Sequence, residues 1–163
     1  MTHDESYFLN PPGRRIGCLA LPRNPEGHVL LVEKIYQKAE GNPRPWGMVG
    51  GSANANETLH NALCREFEEE TGIVIGTPGR LLVFDYVPAR RYAEGYNFVF
   101  DTPVLATDTK ITLPAGELSD YKFVPPGELD QYMSDHGVRR ARAVLKALEE
   151  DTFIELEDGH PVA

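Results

Sequence analysis

The chain has 163 residues, 41% of them hydrophobic and 25% charged, which suits one globular domain with its own core. Its net charge of −9 argues against a nucleic-acid-binding surface, which needs clustered Lys and Arg. A small phosphorylated substrate is not excluded, because metal ions and a few local cations can hold one. The two cysteines, Cys18 and Cys64, lack metal-ligand spacing and indicate free thiols in a reducing compartment. Neither end has an apolar run long enough for a signal peptide or a membrane span, so we expect a cytoplasmic protein that binds neither nucleic acid nor membrane.

The N-terminal third of the chain ends in a pair of glycines. Ahead of them we predict, in order, a flexible polar arm over residues 1–13, strands over 14–21 and 28–34 joined as a hairpin, and a loop over 35–45. Gly50 and Gly51 permit positive φ and close backbone approach. They can therefore direct a carbonyl at a metal ion or an amide at a phosphate.

An amphipathic helix is predicted after the glycines, with a cap at Asn56 or Thr58 and a left-handed end at Gly72. Its apolar positions recur at about 100° per residue and form one core-facing stripe: Leu59, Ala62, Leu63 and Phe67. The helix therefore packs one side against the core.

Four glutamates crowd the end of this helix. Glu66 and Glu70 fall in the sector of the apolar stripe. Glu69 lies at its edge, and Glu68 points to the opposite side. Carboxylates there repel the negative end of the helix dipole and one another, so a positive charge is needed, and a divalent cation is the obvious candidate. For the run alone, the alternative is an exposed helix surface.

The rest of the chain predicts strands and two further helices. In order these are strands over 80–87 and 96–101 forming a second hairpin, a loop over 107–116, a strand over 117–124, helices over 125–133 and 138–149, and a short edge strand over 152–157. We assign a single domain to residues 14–157 and a tail to 158–163. The order predicts an α/β/α sandwich with a mixed central sheet. Arg139, Arg140 and Arg142 are predicted to face outward from the last helix.

The spacing of the glutamate helix resembles the Nudix box. The matching positions are Gly51, Glu57, Arg65, Glu66, Glu69, Glu70 and Gly72, with apolar residues at 67 and 73. The chain is therefore similar to the Nudix hydrolase family, most specifically over residues 51–73. One departure is Val49, where most relatives have proline.

The resemblance implies roles for the box residues. Mg²⁺ or Mn²⁺ would be held by Glu66, Glu69 and Glu70 with the Gly50 carbonyl, since hard oxygen donors suit these ions. Glu57 and Arg65 would form a structural pair that fixes the loop to the helix.

The proton acceptor is less closely defined. Glu66 or Glu117 would take the proton of the attacking water, because relatives differ in which carboxylate does so. Asp120 is the second choice and Glu94 the third for the carboxylate outside the box.

The implied reaction is metal-dependent hydrolysis of the diphosphate in a nucleoside diphosphate linked to another moiety. That substrate would be ADP-ribose-like or nucleoside triphosphate-like; Pro88 follows the box by a spacing that resembles ADP-ribose pyrophosphatases. Candidate substrate-binding residues are Gly51, Arg90, Arg91 and Tyr92. We expect a small nucleotide as partner and a possible homodimer. The alternatives are a non-hydrolytic nucleotide sensor and an isopentenyl diphosphate isomerase-like enzyme, in which Cys18 would be the catalytic cysteine.

Overall fold

The structure, a computed structural model, describes residues 4–162. Its helices and strands are, in chain order, α1 (Glu5–Leu9), β1 (Arg15–Ala20), β2 (Val29–Lys34), α2 (Ile35–Ala39), β3 (Trp46–Gly47), β4 (Val49–Ser52), α3 (Leu59–Thr71), β5 (Leu81–Val87), β6 (Gly95–Phe100), β7 (Leu118–Val124), a 3₁₀ turn (Pro126–Glu128), α4 (Leu129–Tyr132), α5 (Asp135–Glu149), β8 (Ile154–Glu157) and β9 (His160–Pro161). None of the helices in this range is both long and apolar enough to cross a membrane.

The strands form two sheets. The larger has the order β4-β1-β6-β5-β8-β9, with parallel pairing of β1 to β6 and of β5 to β8 and antiparallel pairing elsewhere. The smaller sheet, β3-β2-β7, is antiparallel. Helix α3 packs on β1 and β4, and α5 packs on β5 and β8. The predicted α/β class with a mixed sheet is confirmed.

The predicted first hairpin is wrong, because β1 and β2 belong to different sheets. Strand β1 already has a neighbour on each side, β4 and β6, so no edge is left for β2. Strand β2 turns away after a single bridge between Arg23 and Val29. The second predicted hairpin, β5 with β6, is confirmed.

Three shorter predictions also differ from the structure. The loop predicted over 35–45 begins with helix α2. The tail predicted over 158–163 contributes β9, which pairs with β8 through a turn in which Asp158 and Gly159 have positive φ. The arm predicted over 1–13 contains α1, which buries none of its residues, while residues 1–3 lie outside the described range.

Helix α3 follows the sequence prediction closely. The side chain of Thr58 accepts a hydrogen bond from the Asn61 amide at 3.2 Å, and Gly72 ends the helix with φ of 75°. The apolar stripe is buried against the core, with Phe67 fully buried. Glu70, the penultimate residue of the helix, is buried as well, at 6% exposure. The helix therefore carries a carboxylate into the protein interior.

Candidate active site

Two of the box glutamates lie against the paired glycines of β4. Glu70 Oε2 accepts a hydrogen bond from the Gly50 amide at 2.8 Å. The Glu66 carboxylate lies so close to Gly51 that a Cβ built on this residue would be 2.5 Å from Glu66 Cδ. Glycine is required at this position because any side chain would displace the carboxylate. The two carboxylates are one helical turn apart and face adjacent residues of the same strand.

Burial and nearby charge act in opposite directions on Glu70. Desolvation raises the pKa of this carboxyl above its ordinary value, while Lys34 and the Gly50 amide lower it. Lys34 Nζ lies 3.6 Å from Glu70 Oε1. The net shift is upward, because burial is the largest of these effects.

Arg65 holds three of the box carboxylates. Its guanidinium donates to both oxygens of Glu57, at 2.8 and 2.9 Å, which gives the structural pair expected from the resemblance. It also donates to the Ser52 carbonyl at 2.9 Å. In addition, its Nη1 bonds Glu66 Oε1 at 2.7 Å and Glu69 Oε2 at 3.2 Å. Part of the positive charge required at the helix end therefore comes from the protein itself, through Arg65 and Lys34.

The donor set fits a hard divalent cation in its chemistry. Carboxylate oxygens of Glu66 and Glu70 and the adjacent glycine backbone are the oxygen donors that Mg²⁺ and Mn²⁺ prefer. Within residues 4–162, however, no three acidic, histidine or cysteine side chains converge into a group that could hold a metal ion. Glu69 is half exposed and turned to Arg65, so it would join the others only after leaving that ion pair.

A cleft of about 500 Å³ opens beside the glycines. Gly50, Gly51 and Ser52 line it at one end. Its cationic lining residues are Arg15, Lys34, Arg90, Arg91 and Arg140. Such a cleft is electrostatically suited to a phosphorylated ligand, although the chain as a whole is acidic.

A row of paired residues crosses the larger sheet, and three of them, Ser52, Gly17 and Asn97, line the cleft. Ser52 on β4 pairs with Gly17 on β1. Gly17 pairs with Asn97 on β6, and Asn97 pairs with Asp85 on β5. Gly17 leaves room for the Asn97 side chain, because a Cβ there would be within 2.3 Å of Asn97 Oδ1. Paired residues share a face of the sheet, so this row connects the box strand with Asp85.

Asp85 and Arg140 form a buried ion pair at the far end of this row. Asp85 is fully buried, and Arg140 Nε donates to its Oδ2 at 2.6 Å. The amide of Gly159 donates to the other oxygen at 3.0 Å. His136 also lines the cleft there, and its pKa is lowered by desolvation and then by the charge of Arg140.

The loop cations predicted to bind substrate do line the cleft, but they already have carboxylate partners. Arg90 donates to both oxygens of Asp158, at 2.9 and 2.6 Å. Arg91 lies 3.3 Å from Glu40, which also accepts a hydrogen bond from the Tyr92 hydroxyl at 2.7 Å. A ligand would compete with these carboxylates for Arg90 and Arg91.

Glu117 lies in the turn that precedes β7. It is exposed, it is not among the residues that line the cleft, and its backbone carbonyl accepts a hydrogen bond from the Ile35 amide at 3.0 Å. Of the other two choices, Asp120 bonds the amide of the next residue, and Glu94 accepts from Arg14 and Tyr86. The choice of a base outside the box stays a prediction.

The position of Cys18 disfavours the isomerase alternative. Cys18 is fully buried under α3, while its neighbours Gly17 and Leu19 line the cleft. Burial, followed by the charges of Glu57 and Glu66, raises the pKa of this thiol to about 11. A thiol in this state is a poor nucleophile.

Arg140 was missed by sequence reasoning, and the prediction that it faces outward is wrong. Its side chain is only 11% exposed. Two signals were present in the sequence. The first is helical spacing: Arg140 is three residues from Gly137 and four from Val144, so it lies on the same side of the helix as these two buried residues. The second is Asp85, an acidic residue within an apolar strand. A buried charge needs a partner, so Asp85 required a cation from another element.

The fold and this site define a class: an α/β/α protein whose helix presents carboxylates to a glycine pair beside a cationic cleft. Residues 13–148 match the NUDIX domain, which is well over half of the chain. The chain therefore belongs to the Nudix hydrolase family.

Individual relatives agree with this assignment. An uncharacterized Nudix hydrolase of Listeria monocytogenes is 32% identical over 106 residues, which are 64% of this chain and 60% of that protein. An RNA pyrophosphohydrolase of Erythrobacter litoralis is 29% identical over 140 residues, covering 76% of this chain and 83% of that one. The crystal structure of a MutT protein from Methanosarcina mazei Go1 superposes with a TM-score of 0.67 at 25% identity, covering 86% and 97% of the two chains.

Proposed function

We propose that this protein is a Mg²⁺- or Mn²⁺-dependent pyrophosphohydrolase that cleaves the diphosphate of a nucleoside diphosphate linked to another moiety. The observation that carries the proposal is the placement of Glu66 and Glu70 against Gly51 and Gly50 at one end of the cationic cleft. The pyrophosphohydrolase named among the relatives supports the reaction class.

The bound cation would be held by Glu66, Glu70 and the Gly50 carbonyl. It would neutralise charge on the diphosphate and acidify a water molecule. Lys34, which lines the cleft beside Glu70, adds positive charge for the diphosphate oxygens. Glu66 has one oxygen bonded to Arg65, so we assign proton acceptance to its other oxygen, Oε2.

The identity of the linked moiety is a separate part of the proposal. Pro88 lines the cleft, and its spacing from the box resembles that of ADP-ribose pyrophosphatases. An ADP-ribose-like substrate is therefore the first choice, and a nucleoside triphosphate-like substrate is the second. The cytoplasmic location and the homodimer also stay predictions.

The experiment is a phosphate-release assay with Mg²⁺ or Mn²⁺ on a substrate panel. The panel contains ADP-ribose, diadenosine polyphosphates, nucleotide sugars, nucleoside and deoxynucleoside triphosphates, and RNA with a 5′-triphosphate. The RNA is included because one of the relatives is an RNA pyrophosphohydrolase. Turnover of at least one compound is expected. If the wild-type protein turns over none of them, the proposal fails.

Two matched variants test the assignment of the carboxylates. Glu70→Gln keeps an oxygen that can accept from the Gly50 amide but loses the charge, so we expect it to abolish metal-dependent activity in a folded protein. Glu68→Gln, on the exposed side of the same helix, should leave activity unchanged. Retained activity in Glu70→Gln would show that this glutamate is not a metal ligand.

One observation favours a second candidate, a nucleotide sensor without hydrolysis. Arg65 donates to both Glu66 and Glu69, and within the described residues no three acidic, histidine or cysteine side chains converge into a group that could hold a metal ion. A protein that binds one of the panel compounds tightly with Mg²⁺ but never cleaves it would be the sensor. Calorimetric titration alongside the phosphate assay distinguishes the two candidates.

A further inference from the structure

Arg140 differs from most other cations that line the cleft. The loop residue Arg90 uses both terminal nitrogens on Asp158. Arg140 bonds Asp85 through Nε alone, and within the described residues no protein group accepts from its terminal nitrogens. Neither terminal nitrogen is both buried and unpaired, so both are accessible to solvent. Arg140 lines the cleft, which is where this solvent lies.

The guanidinium of Arg140 is fixed in this orientation before any ligand binds. Asp85 has no exposed surface, and its two oxygens are occupied by Arg140 Nε and the Gly159 amide. An arginine held at Nε presents its two terminal nitrogens as a planar fork, which matches the two oxygens of a carboxylate or phosphate. Because the side chain is already ordered, little conformational entropy is lost on binding.

Asp85, the partner of Arg140, lies several strands away from the box strand β4. Ser52 and Asp85 are separated by three strand spacings, from β4 through β1 and β6 to β5. At about 4.8 Å per spacing, they lie about 14 Å apart. That distance exceeds the length of a diphosphate group. A ligand whose diphosphate lies at Gly50 and Gly51 would bring a more remote part of itself to Arg140.

We propose that Arg140, positioned by Asp85, is an anion subsite for a second negatively charged group of the substrate, a carboxylate or a phosphate remote from the diphosphate. The inference rests on the proposed function, because the box end of the cleft is taken as the place of the diphosphate. It narrows the substrate class to nucleoside diphosphate derivatives that carry such a group. His136 borders the subsite, and its lowered pKa favours the neutral imidazole.

Binding to the metal-free protein tests the subsite without turnover. Isothermal titration calorimetry in EDTA compares two matched pairs of ligands. UDP-glucuronate and UDP-glucose differ by a carboxylate, whereas NADP⁺ and NAD⁺ differ by a phosphate. The anionic member of at least one pair should bind about tenfold more tightly, as expected for a charge-assisted hydrogen-bonded contact. The pair that shows the preference identifies the anion.

Variants then assign the preference to Arg140. Asp85→Asn combined with Arg140→Gln removes both charges of the buried pair and should abolish the preference. Arg140→Lys keeps a cation beside Asp85 but loses the fork, so the preference should fall several-fold. Arg142→Gln, exposed on the other side of the same helix, is the matched control and should keep the full preference. Circular dichroism and thermal unfolding establish that each variant is folded.

The outcomes separate the subsite from the proposed reaction. Equal affinity within both pairs, no binding of either anionic ligand below millimolar concentration, or a full preference in the folded double variant would each overturn the subsite. A preference that depends on Arg140, in a protein that hydrolyses no compound of the panel, would keep the subsite and overturn the reaction.

Discussion

Alanine substitutions at the two adjacent glycines of β4 should damage the protein in different ways. A Cβ at Gly50 would be 2.2 Å from the Cys18 carbonyl oxygen and 2.9 Å from Leu19 Cα, which are backbone atoms of β1. Gly50 also has φ of 126°, which other residues rarely adopt. A Cβ at Gly51 would meet the Glu66 carboxylate instead, at 2.5 Å from Cδ. Only the second obstacle can move by side-chain rotation.

The magnitudes follow from these contacts. For Gly50→Ala, backbone strain and overpacking each cost about 1 to 3 kcal/mol, so the free energy of unfolding should fall by about 2 to 6 kcal/mol. That is a large share of the roughly 5 to 15 kcal/mol available to a domain. For Gly51→Ala, moving Glu66 off its rotamer costs about 1 kcal/mol. Displacement of this carboxylate should nevertheless lower the hydrolysis rate by about a hundredfold.

Urea denaturation and initial hydrolysis rates measure the two effects separately. Gly76→Ala is a suitable control, since a Cβ there meets nothing within 4 Å and the residue has no positive φ. It should change neither quantity appreciably. The reasoning is refuted if Gly51→Ala destabilises the protein as much as Gly50→Ala does. It is equally refuted if Gly51→Ala hydrolyses substrate at the wild-type rate.

Three other predictions concern acid stability, the core and the cleft. The Arg65 hydrogen bonds lower the pKa of Glu57 from 4.5 to about 2, so this pair stabilises the folded state above pH 4.5 and loses that effect as pH falls toward 2. The thermal unfolding midpoints of wild type and Glu57→Gln should therefore converge over this pH range. Phe67→Ala empties a fully buried site and should lower the free energy of unfolding in urea by about 3 to 5 kcal/mol, whereas a loss below about 1 kcal/mol would contradict the packing described. Arg15 Nε donates to the Ala93 carbonyl and not to a carboxylate, so Arg15 should contribute more to substrate binding than Arg90, which is paired with Asp158. Arg15→Gln should therefore raise KM about tenfold, and Arg90→Gln should raise it clearly less.

Helix α3 could be predicted from sequence because its information is local. Its cap, stop glycine and apolar stripe are each set by a few neighbouring residues, and all three were found where expected. The opposite placement of Glu68 and Glu70 follows from the same helical period. The contact between Glu57 and Arg65 was expected from the family resemblance alone, and it is present.

Predictions that depended on long-range pairing were less successful. The first hairpin failed because β1 gains both of its neighbours from distant parts of the chain. The separate smaller sheet was not predicted either, since β7 pairs with β2 there and does not extend the larger sheet. Neither outcome is visible in a local pattern, since strand pairing depends on which edges remain free.

The sequence by itself determined the family and the reaction class, because the spacing of Gly51, Glu66 and Glu70 is a property of one helix and the turn before it. The tertiary structure decided which cations face the cleft and which are already neutralised. Arg140 and Asp85 are 55 residues apart and meet only when α5 packs on β5. A buried charge must be paired with a group that is close to it in the folded chain, whatever their separation in the sequence. The set of charged residues that line the cleft could therefore not be obtained from the order of residues alone.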